Sequence, residues 1–200
     1  MSSQEIQRIA LQLETIGYSH TSFDQLDIPF DAELAAELSM KVEASSESAE
    51  ALSVVEHIKR DGMTIVQDEL CMNVAKTIMA PVIEAVYMGN SAAIDTWTIF
   101  GLNRYTTGGS FGTHRDSVDT TIFLTTIKGS REFEIYVTGD SEPGSTDFSE
   151  VEARFLLEPG SIMILDGEKD PAHAVSRAIV SSVVVVADVP LPHLCRANRL

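Results

Sequence analysis

Asn103-Arg-Tyr-Thr-Thr-Gly-Gly-Ser-Phe-Gly-Thr-His-Arg-Asp116 decides how this chain is read. The stretch ends in His114-x-Asp116. On extended backbone, residues two apart project to the same face, so an imidazole and a carboxylate meet there. About sixty residues further on, His173 follows a Pro-Gly turn and an apolar strand. A histidine arriving from a neighbouring strand completes a two-histidine, one-carboxylate set. Such a set leaves three metal positions open and suits non-haem Fe(II) used for oxygen chemistry. His114, Asp116 and His173 are therefore predicted as metal ligands and as the catalytic centre.

The chain around this stretch divides by texture. Before it, residues 1–93 read as a mainly helical support. Ser2 and Glu5 fit a capping box, Ile6, Ile9, Ala10 and Leu13 form one stripe, and Gly17 ends the helix. Asp24, Asp27 and Pro29 mark a loop. Asp31 caps a second helix with Leu34, Leu38 and Val42 inward, and a third carries Leu52, Val55 and Ile58 to a stop at Asp61-Gly62. A longer helix spans about Asp68 to Tyr87, with a kink predicted near Pro81. From residue 94 to residue 190 short β-type segments follow. Asp95 to Tyr105 alternates, placing Trp97, Ile99, Gly101, Asn103 and Tyr105 on one face. Thr120 to Ile127 is apolar and β-branched, Lys128-Gly129-Ser130 is a turn, and Arg131 to Val137 alternates again. An acidic loop, Gly139 to Glu152, precedes Phe155 to Leu157, Ser161 to Leu165, Ala172 to Val175 and Ser181 to Asp188. Residues 191–200 form a tail. Helices first and many short strands after predict one α+β domain whose β part is a sandwich or barrel.

Bulk composition narrows the function. The 200 residues carry 14 Lys and Arg against 30 Asp and Glu, a net charge of −16. That field repels phosphate backbones and anionic lipid, so neither nucleic acid nor membrane is expected as a partner. Cys71 and Cys195 stand far apart without metal-ligand spacing and read as reduced thiols of a cytoplasmic protein. No signal peptide and no membrane span are expected.

With His114-x-Asp116 early and His173 late, the strand series from about Asp95 to Pro190 resembles the Fe(II)/2-oxoglutarate-dependent oxygenase superfamily. The resemblance implies a double-stranded β-helix, or jelly roll, with N-terminal helices packed on it. It implies Fe(II), 2-oxoglutarate and O2 as cofactor and cosubstrates. Asn103-x-Tyr105, eleven residues before the first ligand, is similar to the strand of AlkB-type members whose Asn and Tyr contact 2-oxoglutarate. Ile127-Lys-Gly-Ser-Arg131 is similar to the JmjC and asparaginyl-hydroxylase branch, where a lysine in the place of Arg131 holds the distal carboxylate. Leu157-Glu-Pro-Gly-Ser-Ile-Met-Ile-Leu165 is similar to the penultimate strands. One departure stands out. Most members carry an arginine about ten residues past the last histidine, where this chain reads Val180-Ser-Ser-Val-Val, and Arg177 follows His173 by only four residues.

Two arginines are thus candidates for the anchor. If Phe133 and Ile135 face the interior, period two forces Arg131 inward, and a buried guanidinium requires an anionic partner, either a cosubstrate carboxylate or an internal Asp or Glu. Arg177 sits in a turn, where solvent exposure is the default. His20, His57 and His193 read as surface groups, Asp119 as a loop carboxylate and Trp97 as core. His-Arg-Asp also opens the protein-kinase catalytic loop, but Thr121 stands where that loop needs its metal-binding Asn. The family reading predicts hydroxylation of a C–H bond in a small metabolite or amino-acid-type substrate. The rivals are a cupin-type metalloenzyme that does not use 2-oxoglutarate and a non-catalytic binding module of the same fold.

Overall fold

A computed structural model describes residues 3–46, 60–87, 95–116, 120–137, 150–169 and 171–190. Ten elements follow in chain order: α1 (Ser3–Ile16), β1 (Tyr18–Ser22), α2 (Ala32–Ser46), β2 (Arg60–Val66), α3 (Glu69–Val86), β3 (Thr98–His114), β4 (Thr120–Tyr136), β5 (Val151–Leu157), β6 (Ser161–Leu165) and β7 (His173–Pro190). The strands form one seven-stranded antiparallel sheet in the order β1-β6-β4-β7-β3-β2, with β5 pairing β4 off this path.

Sequence signals explain the helices. Gly17 takes a positive φ of 81° as α1 ends, and its N–H bonds the Gln12 carbonyl at 3.1 Å. Asp31 accepts from the Leu34 N–H at 2.9 Å, and Asp68 accepts from the Cys71 N–H at 2.9 Å. Pro81 falls inside α3, which runs on to Val86. The helix expected over Leu52, Val55 and Ile58, the capping Ser2 and the tail lie outside the described residues.

Two strands depart from the helical expectation for the first half. β1 occupies the segment after Gly17, and its buried residues include Ser19 and Thr21. Hydrogen bonds from α1 hold it in place of an apolar stripe: Ser19 Oγ donates to Gln12 at 2.8 Å, Thr21 Oγ1 to Glu5, and Arg8 donates to the His20 carbonyl at 2.7 Å. His20, expected at the surface, is half-buried and packs its ring 5.2 Å from Phe155. Asp61-Gly62 lies within β2, an edge strand on β3 whose register shifts between Asp61 and Met63.

The expected turn at Lys128–Ser130 is a corner inside β4. Both halves of β4 stay paired with β7, Thr120–Lys128 against Val183–Pro190 and Ser130–Ile135 against His173–Val180, with register shifts between. Ala172–Val175 and Ser181–Asp188 accordingly belong to one strand. The corner requires Gly129, whose φ is 71° and where a Cβ would lie 2.0 Å from the Ser181 carbonyl oxygen.

Folding the long strands over creates two cores. Along β7, Val183, Val185, Ala187 and Val189 pack with Phe123, Ile162 and Ile164 beneath the helices, together with Leu38, Met79, Val82 and Trp97. The alternate residues Val184 and Val186 point into the fold with Ile122, Leu124, Met163, Phe133, Ile135 and Val175. Period-two alternation thus feeds both layers of an α+β jelly roll. One predicted face breaks. A register shift between Ile99 and Gly101 changes the phase of β3. Trp97 and Ile99 join Leu102 on the helix side, while Phe100, Asn103 and Tyr105 line the interior.

Candidate metal centre

His114 ends β3, and His173 begins β7 directly opposite it as a cross-strand pair. Their rings lie 4.3 Å apart, with Phe111 4.1 Å from His114 and Phe133 stacked 5.3 Å from His173. Asp116 reaches in two residues past the strand. Its carboxylate oxygens lie 3.7 Å from His114 Nε2 and 3.2 Å from His173 Nε2. All three ligand atoms fall within 4.8 Å of one another, close enough to share one ion. Ligands at right angles on bonds of roughly 2.1 Å stand about 3 Å apart, which this spacing approaches.

Both imidazoles are oriented from behind. His114 Nδ1 lies 2.8 Å from the Gly112 carbonyl and His173 Nδ1 lies 3.0 Å from that of Pro171. A carbonyl can only accept, so each Nδ1 carries the proton and each Nε2 lone pair faces Asp116. Burial raises the Asp116 carboxyl, but charge and hydrogen bonding from the imidazoles when protonated, His173 first, outweigh that and hold it below its ordinary 3.8. The donor set and its backing fit an Fe(II) ion.

The triad opens on a cavity of about 280 Å³. Arg131 lines it, phased inward with Phe133 and Ile135 as the alternation predicts, and each of the three is 1% exposed. Its Nη1 donates to Thr126 Oγ1 at 2.8 Å, and the guanidinium lies 6.0 Å from the Tyr105 ring. Among the described residues no carboxylate pairs with it, and its buried Nε has no hydrogen-bond partner. Burial lowers its pKa to about 10, which still leaves it charged at neutral pH. The Oδ1 of Asn103 in the same cavity is likewise buried without a partner. A buried cation with spare donor capacity fits a small polar anion such as 2-oxoglutarate.

Arg177 lies elsewhere. Its side chain is 61% exposed and reaches Glu132 at 3.4 Å. Trp97 is core, as expected, with Lys76 Nζ 5.1 Å from its ring. Asp119, His57 and His193 lie outside the described residues, as does most of the acidic loop; β5 begins at Val151, within the range assigned to that loop.

One cavity residue escaped the sequence reading. Asp188 of β7 lines the chamber beside Asp116. Burial first, and repulsion from Asp116 second, push its carboxyl from 3.8 up to about 6. Its signal was present, because Asp188 is the lone acidic residue in a Val- and Ala-rich strand, where aspartate is disfavoured. A raised acid costs the fold when ionised. The cost is absent below about pH 3.8, where folded and unfolded chains are both protonated, and complete above about pH 6. The gap between 3.8 and about 6 sets a ceiling of about 3 kcal/mol. Solvent screening of this half-buried group reduces that to about 1 kcal/mol, or roughly 2–4 °C in Tm. Asp188→Asn is therefore expected to melt a few degrees above the wild type at pH 7.5 in metal-free protein. The two should melt together at pH 3.5, as thermal scans at both pH values will show. Equal Tm at pH 7.5 would remove the destabilisation.

No family model matches the sequence, and no curated protein is similar enough in sequence to match it. Solved structures do match. A prolyl-4-hydroxylase from Pseudomonas putida aligns with a TM-score of 0.61 at 15% identity, covering 94% of this chain and 99% of that one. The non-heme alpha ketoglutarate dependent epimerase SnoN from nogalamycin biosynthesis aligns with a TM-score of 0.60 at 13% identity, covering 96% of this chain and 85% of that one. The chain has the fold of the Fe(II)/2-oxoglutarate oxygenases. A 2OG-Fe(II) oxygenase family oxidoreductase from Burkholderia pseudomallei shares this oxygenase fold, with a TM-score of 0.52 at 13% identity over 94% of this chain and 91% of that one. The His114, Asp116 and His173 set fits the metal motif of that fold.

Proposed function

We propose that this protein is an Fe(II)/2-oxoglutarate-dependent oxygenase that hydroxylates a C–H bond of a small organic substrate. One observation carries the reading. A two-histidine, one-carboxylate set and a fully buried arginine with no acidic partner among the described residues share a single cavity. A cupin-type metalloenzyme explains the first and leaves the second a cost without return.

His114 Nε2, Asp116 and His173 Nε2 would hold the iron, with the Gly112 and Pro171 carbonyls fixing the imidazoles. Iron so held, with 2-oxoglutarate and O2, supplies the oxidising power for C–H cleavage. Arg131, steadied by Thr126, would pair with the distal carboxylate of the cosubstrate, and Asn103 and Tyr105 would orient it. Met63, Ile65, Phe100 and Phe111 give the chamber an apolar wall that limits water around the reacting groups. A carboxylate ligand in place at Asp116 favours hydroxylation over halogenation. No helix among the described residues is long and apolar enough to cross a membrane. The buried free thiol of Cys71 is in keeping with a cytoplasmic location.

Anaerobic titration with Fe(II), with and without 2-oxoglutarate, tests the reading. One equivalent of iron is expected to bind, and a visible charge-transfer band to appear only when 2-oxoglutarate is added. Iron uptake with no band would favour the cupin-type enzyme, and uptake of neither would favour a binding module.

A further inference from the structure

Arg131 and Asp188 both line the cavity, neither side chain has an ion-pair partner among the described residues, and they lie too far apart to serve each other. Arg131 grips Thr126, which pairs with Val184 of β7. Asp188 is four residues further along that strand, about 13 Å at strand rise. Among the described residues the Asp188 side chain makes no hydrogen bond and no ion pair, although it lines the chamber beside the triad. A carboxylate there sits in a largely apolar wall that offers it no donor. A cation relieves that desolvation. The net charge of −16 also concentrates cations around the protein and disfavours anions.

We infer that Asp188 is a specificity-determining residue that binds an ammonium or similar cationic group of the substrate. The apolar remainder of the substrate then lies against Met63, Ile65, Phe100 and Phe111, within reach of the metal ligands. The substrate class is a small apolar amine. This rests on the oxygenase reading, because it takes the chamber beside the triad as the place where substrate is presented.

Hexylammonium, 1-hexanol and hexanoate share one apolar body and differ in head group, so they serve as probes. Their binding can be followed by saturation-transfer NMR under anaerobic conditions, with and without Fe(II) and 2-oxoglutarate, while the charge-transfer band is recorded on the same samples. Hexylammonium is expected to bind at least about tenfold more tightly than 1-hexanol, and hexanoate to bind most weakly. Asp188→Asn should bring the first ratio close to one with the band intact, and Asp188→Glu should retain the preference. Equal binding of ammonium and alcohol by the wild type, or an undiminished preference in Asp188→Asn, overturns the assignment. In both cases an intact band leaves the oxygenase reading standing. A missing band with the preference intact overturns the oxygenase reading, and with it the role of Asp188 in presenting a substrate for oxidation.

Discussion

Replacing Asp116 with alanine is expected to abolish stoichiometric Fe(II) binding without lowering the stability of the metal-free protein. Asp116 lies past the end of β3 and contributes no apolar packing, so its loss removes a ligand and little else. Losing one ligand of three should weaken iron by at least about a hundredfold, since outer-shell changes alone cost about ten- to hundredfold. His173→Ala should lose iron to the same extent and also lower Tm. His173 is buried and stacked on Phe133, so truncation leaves a cavity between β7 and β4. Iron titration and thermal melting on the two variants separate ligation from packing. Tight iron in either one would remove the triad as the metal centre.

Arg131→Met should reduce 2-oxoglutarate affinity by about ten- to hundredfold, the loss of a charge-assisted pair of about 1.5–3 kcal/mol. The same change should raise the Tm of the metal-free protein. Arg131 is a buried cation bonded to Thr126 and to no carboxylate among the described residues, so an apolar chain of similar length relieves a desolvation cost. Had Arg131 served an internal ion pair, the substitution would strand a buried acid and destabilise the fold. Affinity and Tm moving in opposite directions is therefore the signature of a ligand-binding arginine. Arg177→Ala, by contrast, should change neither, because its pair with Glu132 is exposed. Unchanged 2-oxoglutarate affinity in Arg131→Met would return the cupin-type reading.

The grouping of the candidate ligands was legible because it is encoded at short range. His114-x-Asp116 needs only extended backbone, and Arg131 needs only the phase it shares with Phe133 and Ile135. The features that escaped depend on partners distant in sequence. β1 carries small polar residues that α1 satisfies by hydrogen bonds, so no apolar alternation marks it. Lys128-Gly129-Ser130 has the composition of a turn, and only continued pairing with β7 makes it a corner. The register shift near Phe100 moves the interior face of β3 by one residue, which alternation across Asp95–Tyr105 could not register. In sequence Asp188 is only the end of a strand, and its neighbours across β3 and β4 are what bring it to the cavity.

The pairing of His114 with His173 also bears on how the molecule assembles. Their strands are separated by about sixty residues, so the β3–β7 ladder closes a long loop at an entropic cost. A slip of one residue in that ladder would send the two imidazoles to opposite faces, yet leave much of the valine-rich backbone pairing available. A divalent ion can bind only the chain that has closed in register, and every ion bound withdraws that chain from the slipped population. If the candidate centre takes up an ion during refolding, it would thus favour the barrel that has closed in register.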